Sequence, residues 1–153
     1  VRGSWVFGPD RPSFVDQVIS RALSEERVDA VNDKWATPTY TVEVATLLRP
    51  FLTPRVEGGG ILHLSNEGSC TWQEYGQFAL DCAAGEGLPL KAKKVGGVPM
   101  SSIKAFVAKR PVYTVLDTSK LFQLGRLRPR VWQEAVKGYI KSQVAAGAWK
   151  VSS

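Results

Sequence analysis

Val1-Arg2-Gly3-Ser4-Trp5-Val6-Phe7 is an apolar, strand-like run, closed by the turn signal Gly8-Pro9-Asp10. A helix follows at once. Ser13 stands as its N-cap, and Asp16 lies near the positive end of its dipole. Phe14, Val15, Val18, Ile19, Ala22 and Leu23 recur at helical spacing. Residues 28–32 then read as a second short strand. Strand, turn, helix and strand in that order set the fold class as α/β.

The rest of the chain continues the alternation. Residues 33–39 read as a loop in which Pro38 biases Thr37 towards an extended backbone. A second helix is expected over residues 40–52, with Val44, Ala45, Leu47, Leu48 and Phe51 on its buried face. Pro54 and the glycines at 58–60 break the chain, and residues 61–65 form a short strand around His63. Thr71-Trp72-Gln73-Glu74 is a capping box: the Thr hydroxyl and the Glu carboxylate each satisfy an orphan N–H. The helix it opens buries Tyr75, Phe78, Ala79, Cys82 and Ala83 and ends near Gly85. Residues 88–112 are basic, glycine-containing and irregular. Asp117 is placed to cap a short helix holding Lys120, Leu121 and Phe122, and a last helix is expected over residues 130–146.

Composition excludes several classes. The chain has 153 residues, enough for one domain with a sizeable core, and 44 % of them are hydrophobic. No stretch approaches the roughly 18 apolar residues of a membrane span, and no basic-then-apolar leader opens the chain. It begins in a strand-like run without an initiator Met, so the expectation is a piece of a longer protein, treated as a single unit over residues 1–153. Two sparse thiols, Cys70 and Cys82, fit a reducing cytoplasm better than a disulfide framework. The net charge of +6 is unevenly distributed: residues 1–90 hold seven Lys/Arg against twelve Asp/Glu, and residues 91–153 hold thirteen against two. A positive half points to an anionic partner. Nucleic acid is the poorer candidate, because residues 91–110 interleave only Phe106 with their cations.

Several chemistries are missing. No Gly-x-Gly-x-x-Gly follows a strand, so no dinucleotide phosphate loop is present. One histidine and two separated cysteines do not supply a metal ligand set. A short-chain reductase needs a Tyr with a Lys four residues later, the Lys lowering the phenol pKa for proton exchange with a carbonyl. Four residues after Tyr40, Tyr75, Tyr113 and Tyr139 come Val44, Ala79, Asp117 and Gln143. No catalytic residue is assigned.

Three segments in sequence carry a family likeness. They are Arg2-Gly3-Ser4-Trp5-Val6-Phe7-Gly8 with Ser13-Phe14-Val15, then Asn32-Asp33-Lys34-Trp35-Ala36-Thr37-Pro38-Thr39-Tyr40, then residues 110–121, Arg-Pro-Val-Tyr-Thr-Val-Leu-Asp-Thr-Ser-Lys-Leu. Together they resemble the dTDP-4-dehydrorhamnose reductases, which are extended short-chain dehydrogenases/reductases. Phe7 stands where that family usually has Tyr, and Lys34 and Ala36 stand where it usually has Gln and Gly. The resemblance implies a Rossmann-type fold. Residues 1–7 and 60–65 would be edge strands of its parallel sheet, and the remainder the small substrate-binding lobe. It implies a parent enzyme that uses NADPH or NADH to reduce dTDP-4-keto-L-rhamnose to dTDP-L-rhamnose, with the cofactor loop and the Tyr/Lys pair outside this chain. It also implies a dTDP-sugar partner, a cytoplasmic enzyme and a homodimer of the full-length protein, with neither nucleic acid nor membrane as partner. A reductase-like regulatory subunit of methionine adenosyltransferase and other nucleotide-sugar reductases or epimerases share the likeness.

The expected ligand contacts follow from position. Trp5 lies at the carboxyl end of a strand, where ligands bind in open α/β sheets, and an indole can pack on a sugar or base. Ser13 and Phe14 open a helix whose N-terminus favours a diphosphate. Lys34, Thr37, Pro38 and Thr39 offer an ammonium, two hydroxyls and a fixed backbone. Arg110, held before Pro111, offers a bidentate guanidinium. Gly3 and Ser4 are the residues the resemblance assigns to the cofactor.

Overall fold

The computed structural model describes residues 1–52, 60–105 and 108–149. The chain order is β1 (Val6–Phe7), α1 (Phe14–Ser24), β2 (Val28–Val31), β3 (Trp35–Ala36), β4 (Thr39–Tyr40), α2 (Thr41–Leu48), β5 (Cys70–Thr71), α3 (Trp72–Gly85), β6 (Val95–Val98), α4 (Ser119–Gly125) and α5 (Trp132–Ala145). Among the described residues, β1 pairs parallel with β4, β2 pairs parallel with β6, and β3 pairs antiparallel with β5. The parallel pairs enclose helices in their connections, as parallel strands require.

The helix starts follow the local chemistry of their sequences. The Ser13 N–H and hydroxyl both donate to Asp16 Oδ2 at 2.6 Å. At α3 the Thr71 N–H donates to Glu74 Oε2 at 2.7 Å, and the Glu74 N–H donates to Thr71 Oγ1 at 3.1 Å. α4 starts one residue later than expected: Thr118 is its N-cap, and Asp117 Oδ1 accepts the Ser119 N–H at 2.8 Å. The helix expected over residues 40–52 divides instead. α2 ends at Leu48 and a 3-10 turn, Arg49–Leu52, carries Pro50, whose ring lacks the N–H that a continued α-helix needs.

The core lies where α3 meets α1, α5, β2 and β6. Tyr75, Tyr139, Phe7, Ile19, Leu80 and Ile140 are its large, fully buried side chains. Tyr139 crosses it to donate to Asp16 Oδ1 at 2.7 Å, and its hydroxyl lies 3.2 Å from Gly8 O. Burial and the Asp16 carboxylate push the Tyr139 phenol above its ordinary pKa. A smaller cluster of Leu62, Leu64 and Leu121 sits under α2 and α4.

Three expectations change. Residues 88–112 are not simply irregular, because β6 lies among them as Val-Gly-Gly-Val. Its glycines belong to the pairing: a Cβ on Gly96 would stand 2.0 Å from Asp29 Oδ1. Two glutamines of α3 hold the same strand, Gln77 Oε1 accepting the Val95 N–H at 2.9 Å and Gln73 Nε2 donating to Val95 O at 3.1 Å. Residues 33–39 are not a plain loop but contain β3 and the first residue of β4. The expected strands 1–7 and 61–65 shrink to β1 and a parallel bridge between Arg2 and His63, with Arg2 N–H to Leu62 O at 2.8 Å and Leu64 N–H to Arg2 O at 2.9 Å. Pro54, the glycines at 58 and 59, and Phe106 lie outside the described residues.

Candidate functional site

Trp5 and Phe14 meet at a small cavity of about 120 Å³, whose other walls are Val6, Trp72 and Tyr75. The rings pack on one another: Trp5 is edge-on to Trp72 at 5.5 Å and stacked on Tyr75 at 6.1 Å, and Phe14 lies 5.2 Å from Trp72 and 5.4 Å from Tyr75. Trp5, Phe14 and Trp72 are half-buried, so each keeps part of a ring towards the opening. Trp72 and Tyr75 are contributors that sequence reasoning assigned only to a helix start and a core stripe. The available signal was that an aromatic residue follows the N-cap in both helices, Phe14 after Ser13 and Trp72 after Thr71.

Trp5 has a φ of 43°, the left-handed region that L-residues rarely enter. Such a conformation costs on the order of 1–3 kcal/mol and persists only where neighbours over-determine it. The neighbours are residues 37–39. The Thr39 N–H donates to Trp5 O at 3.1 Å, the Thr39 hydroxyl donates to Ser4 O, and Ser4 N lies 3.3 Å from Thr39 Oγ1. Thr37 Oγ1 donates to Gly68 O at 2.9 Å, and Pro38 O accepts the Asn66 N–H at 3.2 Å. All three residues are buried. The expected ligand hydroxyls of Thr37 and Thr39 are thus engaged inside the fold, and Thr39 acts on Trp5 by fixing its backbone.

Lys34 also departs from its expected role as an open ammonium. It is only 9 % exposed, and its Nζ donates to Pro111 O at 2.6 Å across 77 positions of sequence. Burial, with the nearby Arg110 guanidinium second, lowers its pKa. Among the described residues Lys34 forms no ion pair. The structure therefore brings together Lys34, Arg110 and Pro111. It also ties this rim to the aromatic cavity. β3 and β5 pair Trp35 with Thr71, and at that end of the pairing Lys34 precedes β3 while Trp72 opens α3 directly after β5.

At the start of α1 the Asp16 carboxylate takes the Ser13 N–H and hydroxyl. A second anion there would face that charge. Ser13 lines a separate groove with Phe7, Gly8, Arg11 and Thr41, joined to the aromatic cavity only through Val6. A Cβ on Gly3 would meet nothing closer than Leu64 O at 3.5 Å, and the backbone N–H and C=O of Ser4 both face the Thr39 hydroxyl. His63 is held with its Nδ1 3.0 Å from Asp117 O. Burial raises the pKa values of both cysteine thiols, and no group of metal-ligating side chains occurs among the described residues. No described helix is long and apolar enough to cross a membrane.

Parallel strands with connecting helices define an α/β unit with the Rossmann-type fold of the extended short-chain reductases it superposes on. Residues 1–145 match the family model described as RmlD substrate binding domain, and the chain belongs to that family. It is 29 % identical over 149 residues to the spore coat polysaccharide biosynthesis protein SpsK of Bacillus subtilis, covering 95 % of this chain and 48 % of that protein. It is 29 % identical over 140 residues to dTDP-4-dehydrorhamnose reductase of Escherichia coli K12, covering 89 % and 46 %. A crystal structure of dTDP-4-dehydrorhamnose reductase from Bacillus anthracis in complex with NADP superposes with a TM-score of 0.81 at 26 % identity, covering 92 % of this chain and 47 % of that one. The chain spans about half the length of the curated relatives it matches.

Proposed function

We propose that this chain is the sugar-nucleotide-gripping part of an NADPH- or NADH-dependent dTDP-4-dehydrorhamnose reductase, which reduces dTDP-4-keto-L-rhamnose to dTDP-L-rhamnose in the cytoplasm. One observation carries the reading: Trp72 of the aromatic cavity directly follows β5, and Lys34, with Arg110 nearby, directly precedes β3, the strand paired antiparallel with β5. A 6-deoxysugar has an apolar face and a methyl group, which suit aromatic walls. A diphosphate suits a guanidinium beside an ammonium.

In this reading Trp5, Phe14 and Trp72 orient the sugar and exclude water from it. Arg110 binds the diphosphate, with Lys34 adding charge and holding the Arg110–Pro111 backbone in place. Thr37, Pro38 and Thr39 act behind Trp5. The hydride belongs to the nicotinamide and the proton to a Tyr/Lys pair, and this chain's residues supply neither.

The test is a thermal shift of the chain with dTDP-rhamnose, UDP-glucose and dTDP. A ligand that binds only the folded state raises the melting temperature. The expected result is stabilisation by dTDP and dTDP-rhamnose over UDP-glucose. A cooperative melt unmoved by every nucleotide would overturn the proposal and favour a regulatory-subunit role.

A further inference from the structure

We infer that Trp35 and Tyr113 form a stacking platform for the nucleotide base. The inference rests on the proposed reading of the site as a sugar-nucleotide site and says where the base goes. Trp35 is 37 % exposed and Tyr113 is 68 % exposed, with Val112 between Tyr113 and Pro111 at 53 %. Among the described residues neither ring stacks on another aromatic ring. Large aromatic side chains left at a surface and held rigidly there serve as contact area at low entropic cost.

Both rings are held by backbone. Trp35 and Tyr113 face each other in a parallel bridge. The Trp35 N–H donates to Val112 O at 2.7 Å, and Trp35 O accepts from the Thr114 N–H at 2.8 Å and the Thr114 hydroxyl at 3.0 Å. Paired residues of neighbouring strands present their side chains on the same face. The two rings therefore border one strip of surface.

The charge around the strip selects the occupant. Lys34 precedes Trp35 in sequence, and Lys109 and Arg110 lie just before Tyr113. The nearest carboxylate along the chain, Asp33, accepts the Met100 N–H at 2.8 Å. Arg110 stands three residues before Tyr113, so a cation adjoins the strip from the same segment that supplies one of its rings. An apolar partner protein would gain from the rings but not from these cations. A nucleoside diphosphate uses both.

The experiment is equilibrium titration of the whole chain with dTDP, inorganic pyrophosphate and thymidine. The variants are Trp35→Ala, Trp35→Phe, Tyr113→Ala and Arg110→Ala, each first checked for an unchanged melt. Base–aromatic stacking is worth about 1–3 kcal/mol by alanine substitution, so Trp35→Ala should weaken dTDP about tenfold and leave pyrophosphate unchanged. Trp35→Phe should recover most of the loss, and Arg110→Ala should weaken dTDP and pyrophosphate together. If Trp35→Ala and Tyr113→Ala both bind dTDP as the parent does while Arg110→Ala does not, the platform is overturned and the sugar-nucleotide site survives. If those variants change only the sedimentation of the chain from dimer to monomer, the strip is an interface with a second copy. If the parent chain binds no dTDP, both proposals fail.

Discussion

The aromatic side and the cationic rim of this chain are built by opposite means. Around α3 the contacts are dense and apolar: rings of Phe7, Phe14, Tyr75 and Tyr139 pack on helices that their own caps and stripes define. At the rim, a buried ammonium reaches a carbonyl 77 positions away, and residue 35 is zipped to residues 112–114. The first region stores stability. The second presents charge and exposed rings at little cost to the core. Substitutions in the first should therefore unfold the chain, and those in the second should remove ligand binding from a folded one.

The largest effect belongs to the core. Phe7 is 1 % exposed and touches Tyr40, Tyr75 and Tyr139. Phe7→Ala should cost about 3–5 kcal/mol by urea unfolding, and a loss below about 1 kcal/mol would mean that the aromatic side is not the main store of stability. Next comes the rim. Lys34→Met removes one charge and the tie to Pro111 O, so dTDP affinity should fall about tenfold, the scale of one charged hydrogen bond. The core should keep its melting cooperativity, and a melt that broadens instead would show that the rim is structural.

Two tyrosines sharpen the comparison within the core. The Tyr139 hydroxyl is bonded to Asp16, whereas the Tyr75 hydroxyl is buried without a partner among the described residues. Tyr139→Phe should cost about 1 kcal/mol, and Tyr75→Phe should be neutral or slightly stabilising, because it removes a desolvated group that gains nothing. Equal losses in the two variants would contradict the assignment.

The smallest effect is in pH. Burial lowers the Lys34 pKa below 10.5, so on raising pH its charge is lost before that of a solvated lysine. Anion affinity should fall on the alkaline side accordingly, and Lys34→Met should flatten that limb. Stability runs the other way for this group: the unfolded chain binds more protons there, so its charged form penalises folding below the native pKa and the penalty lifts as pH rises. Tyr75 and Tyr139 oppose it. Their native pKa values are raised, so stability is present below their unfolded value of 10.0 and lost above it.

Much of the first region was legible in the sequence. Caps at Ser13 and Thr71 and stripes such as Val15-Val18-Ile19-Ala22 are local signals, and the helices begin where those signals stand. β6 was not legible, because Gly96 and Gly97 read as breakers until Asp29 is seen filling the space a Cβ would need. β3, β4 and β5 are two residues each, too short for any alternation to register. Arg110 and Lys34 were named from their chemistry, but only the fold shows that one lies beside the other. Trp35 was hidden for the same reason, since exposure is a property of its bridge to Tyr113 and not of its neighbours in sequence.

The most direct measurement is the pair of numbers, melting temperature and dTDP-sugar affinity, for Arg110→Ala beside the parent chain. Arg110 is exposed, so the melting temperature should stay within about a degree, while affinity for dTDP-rhamnose should fall by roughly tenfold to a hundredfold, as loss of a charged hydrogen-bonding group requires. A lowered melting temperature with unchanged affinity would contradict the division between a stabilising aromatic side and a ligand-binding rim.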